Sequence, residues 1–393
     1  MKLLFDLNAL RPPRTGIGYY TQHLLQGLRA RSDITDVRGW MGGDIYSGER
    51  LDELVRDQAP SGDPVLVPHS QALSLSQCLQ RSAALQPLRT FFHRRSSRAV
   101  RAQSAKEGYV YHETNFAASR YAGPTVATIH DLSHRRHPEF HSKILVQHLD
   151  RELPRTFRRV NMVIADSHYT KQEIVDLYDV PEERVTTIHL GVDECFRPLS
   201  EVACRAVLST LDLRQRAFVL SVGTLQPRKN LLRLVEAFAA LPRELRREFP
   251  LVLIGARGWK TTELASTIAP FISAGEVVTP GYLSRNDLLK LFASAAVFAY
   301  PSLYEGFGLP VLEAMASGTA VLTSAASSLP EVSGGAAVEV DPWRIDAIED
   351  GLRRLLTDAS LRRQCIERGV AQASKFTWAS TIEQTCAVYK KIC

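Results

Sequence analysis

Two glutamates, Glu305 and Glu313, stand with seven residues between them in the run Pro301-Ser302-Leu303-Tyr304-Glu305-Gly306-Phe307-Gly308-Leu309-Pro310-Val311-Leu312-Glu313-Ala314-Met315-Ala316-Ser317-Gly318. A carboxylate accepts hydrogen bonds from two neighbouring hydroxyls, so a pair placed this way suits the hydroxyls of a sugar and of a ribose. The bland alternative is that Glu313 is an ordinary helix-surface glutamate. Gly306 and Gly308 turn the chain after an apolar strand, Pro310 stands where a first helical turn tolerates proline, and Gly318 closes a short helix. The amides near Gly308 and Leu309 then lack partners from a preceding turn. The helix dipole adds partial positive charge there, and the combination suits a phosphate.

A second basic site lies in Ser221-Val222-Gly223-Thr224-Leu225-Gln226-Pro227-Arg228-Lys229-Asn230. Arg228 and Lys229 are expected to open a helix just after a strand ending at Gly223, which brings their charges and the helix start together where a pyrophosphate would lie. Cations at a helix start oppose its dipole, so an anion is expected beside them. His130 ends an apolar strand and precedes Asp131; a satisfied core histidine and a ligand contact are both open readings. His189 has a similar setting and is assigned a structural role.

The elements that must position these residues alternate. Short apolar runs occur at Leu3 to Phe5, Val65 to Val67, Val126 to Ile129, Met162 to Ala165, Val185 to Ile188, Phe218 to Val222, Leu251 to Ile254, Val297 to Ala299 and Ala320 to Leu322. Most are separated by helical periodicity, as in Leu231, Leu234, Val235 and Phe238, or Ile345, Ile348, Leu352 and Leu355, which is the βαβ pattern of parallel sheets covered on both faces. A chain of 393 residues is long enough for two such α/β domains. The alternation pauses between Gly191-Val192-Asp193 and Arg197-Pro198-Leu199-Ser200. The boundaries expected are 1–195, 196–374 and a final segment 375–393.

The E-x7-E run resembles the signature of retaining glycosyltransferase family 4, and the likeness extends over most of the chain. The stretch from Ser221 to Asn230 is similar to that family's strand-turn-helix with its donor-phosphate lysine. Thr128-Ile129-His130-Asp131-Leu132, Ala165-Asp166-Ser167-His168-Tyr169-Thr170 and Gly191-Val192-Asp193 resemble its N-domain and linker motifs, and Thr15-Gly16-Ile17-Gly18-Tyr19-Tyr20 its glycine-rich first loop. Six motifs in order form a specific pattern, although a lone Gly-Ile-Gly is weak.

The resemblance implies a GT-B fold of two Rossmann-like domains facing across a cleft, an acceptor-binding first domain and a donor-binding second domain. The final helix would cross back to the first. It implies a catalytic set of His130, Arg228, Lys229 and Glu305. The donor would further meet Gly16, Gly18, Gly223, Thr224, Gly306, Phe307, Gly308, Leu309 and Glu313, with Glu313 on the ribose, Glu305 on the sugar hydroxyls and His130 beside the sugar. Many relatives carry arginine where this chain has Thr224, so Arg228 is expected to supply that charge. The acceptor-binding residues are unassigned. Rival readings are the same transferase with a UDP or dTDP sugar, and a silent GT-B scaffold that binds nucleotide sugar or glycan.

No Asp-x-Asp triplet is present and no metal is expected; no cofactor is expected beyond the nucleotide-diphosphate sugar, which is a co-substrate. The form of the Gly223 to Asn230 stretch resembles transferases of bacterial surface polysaccharides, which points to a GDP-linked mannose or rhamnose and a glycan or polyprenyl-diphosphate-linked acceptor. The six cysteines lack C-x-x-C spacing, which argues against a zinc site and a disulfide framework. A net charge of +6 suggests an anionic partner. No nucleic-acid module is recognisable. Basic residues concentrate between Arg81 and Lys106, with Phe91 and Phe92, either as a solvated face or as a surface for anionic lipid. No run suits a signal peptide or a spanning helix, so the expected location is cytoplasmic, peripheral on the inner membrane face if that segment binds lipid.

Overall fold

The computed structural model describes residues 1–11, 16–41, 44–56, 97–255, 262–281 and 283–393. The expected strand at Val65 to Val67, the residue Thr15 and the part of the basic segment from Arg81 through residue 96 lie outside these. Two sheets are present. The first comprises β1 (Lys2–Asp6), β2 (Asp36–Met41), β3 (Asp44–Tyr46), β4 (Tyr109–Glu113), β5 (Thr125–Ile129), β6 (Met162–Ala165) and β7 (Val185–Thr187), in the order β3-β2-β1-β4-β5-β6-β7. Strand β1 runs parallel to β2 and β4, and β3 is an antiparallel edge.

The second sheet comprises β8 (Val219–Val222), β9 (Leu251–Ile254), β10 (Val277–Val278), β11 (Val297–Tyr300), β12 (Ala320–Ser324) and β13 (Val338–Val340). Its order is β10-β9-β8-β11-β12-β13, with every pair parallel. Parallel strands need crossovers, and the helix Leu231–Ala240 supplies one between β8 and β9, while Ile345–Thr357 follows the last strand, β13, and packs against it. Leu234, Val235 and Phe238 from one and Ile348, Leu352 and Leu355 from the other pack with Val219, Leu251 and Val297 in one apolar core. Each such buried side chain contributes roughly 1.5–3 kcal/mol. The strand order reverses direction between β8 and β11, and in open parallel sheets ligands gather beyond the carboxyl ends of the strands at such a switch point. The loops leaving those two strands carry Gly223 to Lys229 and Pro301 to Gly308.

The chain folds into two compact units. One holds Met1–Ile129, Glu152–Ile164 and Gln384–Cys393; the other holds His130–Arg151 and Ala165–Glu383. The expected bounds were 1–195, 196–374 and 375–393; the units differ from them in that His130–Arg151 and the residues from Ala165 on group with the second unit, while the end of the chain groups with the first. In the first unit Tyr389, on the helix Trp378–Lys390, is fully buried. Its hydroxyl pairs with His112 Nδ1 at 2.6 Å, and His112 Nε2 pairs with Thr128 Oγ1 at 2.8 Å.

Candidate active site

The loop after β11 is fixed by its backbone. Ser167 Oγ donates to the Gly306 carbonyl at 2.7 Å and Thr170 Oγ1 at 3.2 Å. Ser328 Oγ is shared between the carbonyls of Glu305 and Phe307, at 2.9 and 2.8 Å. Tyr304 donates to Glu173 and accepts from the Leu132 amide at 3.0 Å, tying the loop to the segment after His130. Gly306 packs so tightly that a Cβ there would stand 1.8 Å from the His130 carbonyl oxygen. Gly308 has φ +114°, a conformation that favours glycine, and from it springs the helix Leu309–Ala316 with Pro310 in its first turn. Among the described residues, the amides of Phe307, Gly308 and Leu309 donate no hydrogen bond. Those of Gly308 and Leu309 are the donors that the sequence assigns to a phosphate, and the Phe307-Gly308 backbone is the one that the family resemblance assigns to the sugar hydroxyls.

Arg228 and Lys229 do not open the following helix. They sit in a 3-10 turn, Pro227–Lys229, and Asn230 at φ 58° separates them from the helix Leu231–Ala240. Proline at 227 presets the turn, and the left-handed Asn230 is held by donating to the carbonyls of Pro301 and Pro342 at 2.9 and 2.7 Å. The anion beside the cations is Glu305, so the dipole argument for an external anion loses its force. Arg228 donates to Glu305 Oε2 at 2.7 Å and to the Tyr304 carbonyl at 2.7 Å; Lys229 donates to Glu305 Oε1 at 2.7 Å and to the Tyr300 hydroxyl.

The electrostatics follow from this packing. Burial alone would raise the Glu305 carboxyl, but Arg228 and Lys229 outweigh it and hold it at about 2. Burial, with Arg228 adding to it and Glu305 opposing, brings Lys229 down to about 8. Burial opposes the charge of Arg228 too, yet Glu305 overrides it and raises the guanidinium. The side-chain carboxylate of Glu313, half-buried on its helix, accepts no hydrogen bond among the described residues. Burial raises it to about 7 against the pull of Arg285, which is itself paired with Asp193 at 2.7 Å.

His130 is 8% exposed and its Nδ1 lies 2.7 Å from Asp166 Oδ2. Burial raises the Asp166 carboxyl, with His130 opposing. The histidine is therefore a partnered one, and its backbone carbonyl is the wall against Gly306. Gly223 lies beside the Lys229 side chain at φ +153°, and Thr224 is exposed. Gly16 and Gly18 begin the helix Gly16–Arg29 in the first unit, whereas the other candidate donor residues all belong to the second. Sequence reasoning missed Tyr300, Ser328 and Arg285 as neighbours of the set. None stands in a run whose spacing announces chemistry.

A pH dependence follows. If Glu313 receives hydroxyls as a carboxylate and Lys229 receives phosphate as an ammonium, nucleotide-sugar affinity should peak between about 7 and about 8. Below the window Glu313 gains a proton, and above it Lys229 loses one, each costing up to about tenfold per pH unit. A nucleotide sugar is the probe because its diphosphate is a diester that does not titrate in this range. Titration calorimetry across the window should show Lys229→Arg flattening the alkaline limb and Glu313→Gln the acid limb. A flat wild-type profile would remove both assignments.

Comparisons with known proteins bear on the reaction class. Residues 14–195 match the model of Glycosyltransferase Family 4, and residues 211–372 match that of Glycosyl transferases group 1. The chain is 33% identical to the O-antigen chain mannosyltransferase B of Escherichia coli, over 99% of this chain and all of the relative. It is 30% identical to the MMP alpha-(1->4)-mannosyltransferase of Mycolicibacterium hassiacum, over 96% of this chain and 94% of that one. Among solved structures it superposes on Anabaena HepE in complex with UDP and glucose at TM-score 0.71, 18% identity and full coverage of both chains. It also superposes on WaaG, a glycosyltransferase involved in lipopolysaccharide biosynthesis, at TM-score 0.70 and 16% identity over 99% of each. With both halves of the chain matched and a relative aligned from end to end, the chain belongs to glycosyltransferase family 4 and is a glycosyltransferase of the GT-B fold.

Proposed function

We propose that the enzyme moves a mannosyl group from GDP-mannose, with retention and with no metal at the donor site, to a glycan carried on a lipid diphosphate. The observation that carries this reading is the convergence of Arg228, Lys229 and the unpaired Phe307 to Leu309 amides at the switch point of the second sheet. Negative charge develops on the departing diphosphate, and such donors stabilise it where another transferase would use a cation. Glu305 holds the two cations in place until the donor arrives, then takes the sugar hydroxyls. The mannosyl choice is supported by the two mannosyltransferases to which the chain is similar over nearly its whole length; the alternative donors are UDP and dTDP sugars.

A thermal-shift and transfer assay with GDP-mannose, UDP-glucose and dTDP-rhamnose, each with and without chelator, tests the reading. GDP-mannose should raise the melting temperature and be consumed equally in both conditions. Stabilisation by a UDP or dTDP sugar but not by GDP-mannose would overturn the donor, and activity lost to chelator and restored by magnesium or manganese would overturn metal independence.

Docking on anionic lipid through Arg81 to Lys106 belongs to the same proposal and rests on composition. No helix among the described residues is long and apolar enough to cross a membrane. In the described part of that segment, Arg101 is already engaged, donating to the Arg120 carbonyl at 3.2 Å and lying over the Trp40 ring. Residues before it would carry the attachment. Flotation should require anionic vesicles and fall steeply with salt; equal recovery with neutral vesicles would end the idea.

A further inference from the structure

His189, given only a structural role from its sequence setting, meets two other potential ligands in the second unit. His168 is the first residue of the helix His168–Tyr178, His189 lies two residues beyond β7, and Glu331 is on the helix Leu329–Ser333. Each offers one ligand atom, and these atoms lie within 4.8 Å of one another. The two imidazoles meet edge to face with centroids 5.6 Å apart. Thr187 Oγ1 lies 3.3 Å from His168 Nδ1 and steadies that ring, while His189 Nε2 contacts the Glu331 carboxylate.

The carboxylate also accepts from the His168 amide at 2.9 Å, as a helix cap would. A cap is already present, because Ser167 accepts from the Thr170 amide. Nor does capping call for two imidazoles converging on one carboxylate. We propose that His168, His189 and Glu331 form a binding site for Zn²⁺, with three protein ligands and water in the fourth position. Imidazole and carboxylate are the donor set that zinc accepts and that magnesium does not favour. The exposed His168 gives entry from solvent. The site shares no residue with the phosphate-binding set. It nevertheless borders the loop that set depends on: the His189 ring lies 5.9 Å from that of Phe307, and Ser167 and Thr170, which hold the Gly306 carbonyl, flank His168.

The test is calorimetric titration of the chelator-treated, dialysed protein with ZnCl₂, beside a MgCl₂ titration. One zinc per chain and no magnesium binding are expected. His168→Ala keeps the backbone contact to Glu331, so its metal-free melting temperature should match wild type while zinc affinity falls at least about tenfold. His189→Ala should fall similarly; if it does not fold, His168→Ala decides alone. Absence of stoichiometric binding overturns the proposal. So does an affinity left unchanged by the substitutions, which would mean that zinc is held elsewhere, for example by the exposed thiol of Cys393.

Discussion

Replacing Lys229 with alanine is expected to lower kcat/KM by about 10²-fold or more, the scale of one preorganised contact to developing charge. The side chain is held on Glu305 and Tyr300, so its ammonium is in position before the donor arrives and costs no reorganisation during bond breaking. Removing it leaves Glu305 neutralised by Arg228 alone and takes one positive charge from the position proposed for the departing diphosphate. Arg228→Ala should fall on the same scale. Because Arg228 also binds the Tyr304 carbonyl, that variant should lose some thermal stability as well. Steady-state kinetics on folded variants, confirmed by melting temperature, decide the matter: wild-type rates in both would mean that the leaving group lies elsewhere.

Gly306→Ala should be at least as damaging, for a steric rather than an electrostatic reason. Its Cβ would stand 1.8 Å from the His130 carbonyl and 2.7 Å from Asp131 Cβ. Neither neighbour is the flexible end of a side chain, so the loop must shift by an ångström or more. A displacement of that size costs about 10²-fold when reacting groups are aligned by the backbone. The hydrogen bonds from Ser167, Thr170 and Ser328 would be strained together, and the melting temperature should drop by several degrees. Gly16→Ala is the control, since a Cβ there would meet nothing within 4 Å; it should melt like wild type. An active, stable Gly306→Ala protein would show that the loop is not held as described.

The strands most legible in the sequence are the buried ones made of aliphatic residues. Met162–Ala165 and Leu251–Ile254 run as expected, and β11 and β12 extend their predicted cores by one and two residues. Strand β4 was missed because Tyr109-Val110-Tyr111-His112-Glu113 reads as polar. Its His112 and Glu113 are buried through partners distant or local: Tyr389 and Thr128 for the one, Tyr111 and the Asn115 amide for the other. No local pattern announces a partner 277 residues away. Strand β2 was missed for a related reason, since Asp36, Arg38 and Gly39 interrupt any apolar run.

At the candidate site, residue identities were legible and their pairing was not. Family resemblance marked Glu305, Arg228 and Lys229 but assigned them to different parts of a ligand. Spacing along the chain carries no information that two loops from neighbouring strands bring the three side chains into mutual contact. For His130, the ring is a satisfied one, paired with Asp166, and what spacing could not show is that its backbone carbonyl packs against Gly306.

The first unit is built from both ends of the chain, and this sets the order of assembly during synthesis. Domains begin to assemble as they leave the ribosome, earlier segments first. Here the unit that contains Met1–Ile129 also takes in Gln384–Cys393, including the buried Val388 and Tyr389. Its interior therefore stays open, with the His112 imidazole lacking its tyrosine, while residues 165–383 are being translated. The second unit draws its last residues from Glu383 and is complete before the first one is. In this chain the half that is made first finishes last, and a stalled nascent chain released just before residue 384 should show a protease-resistant second unit beside a digestible first one.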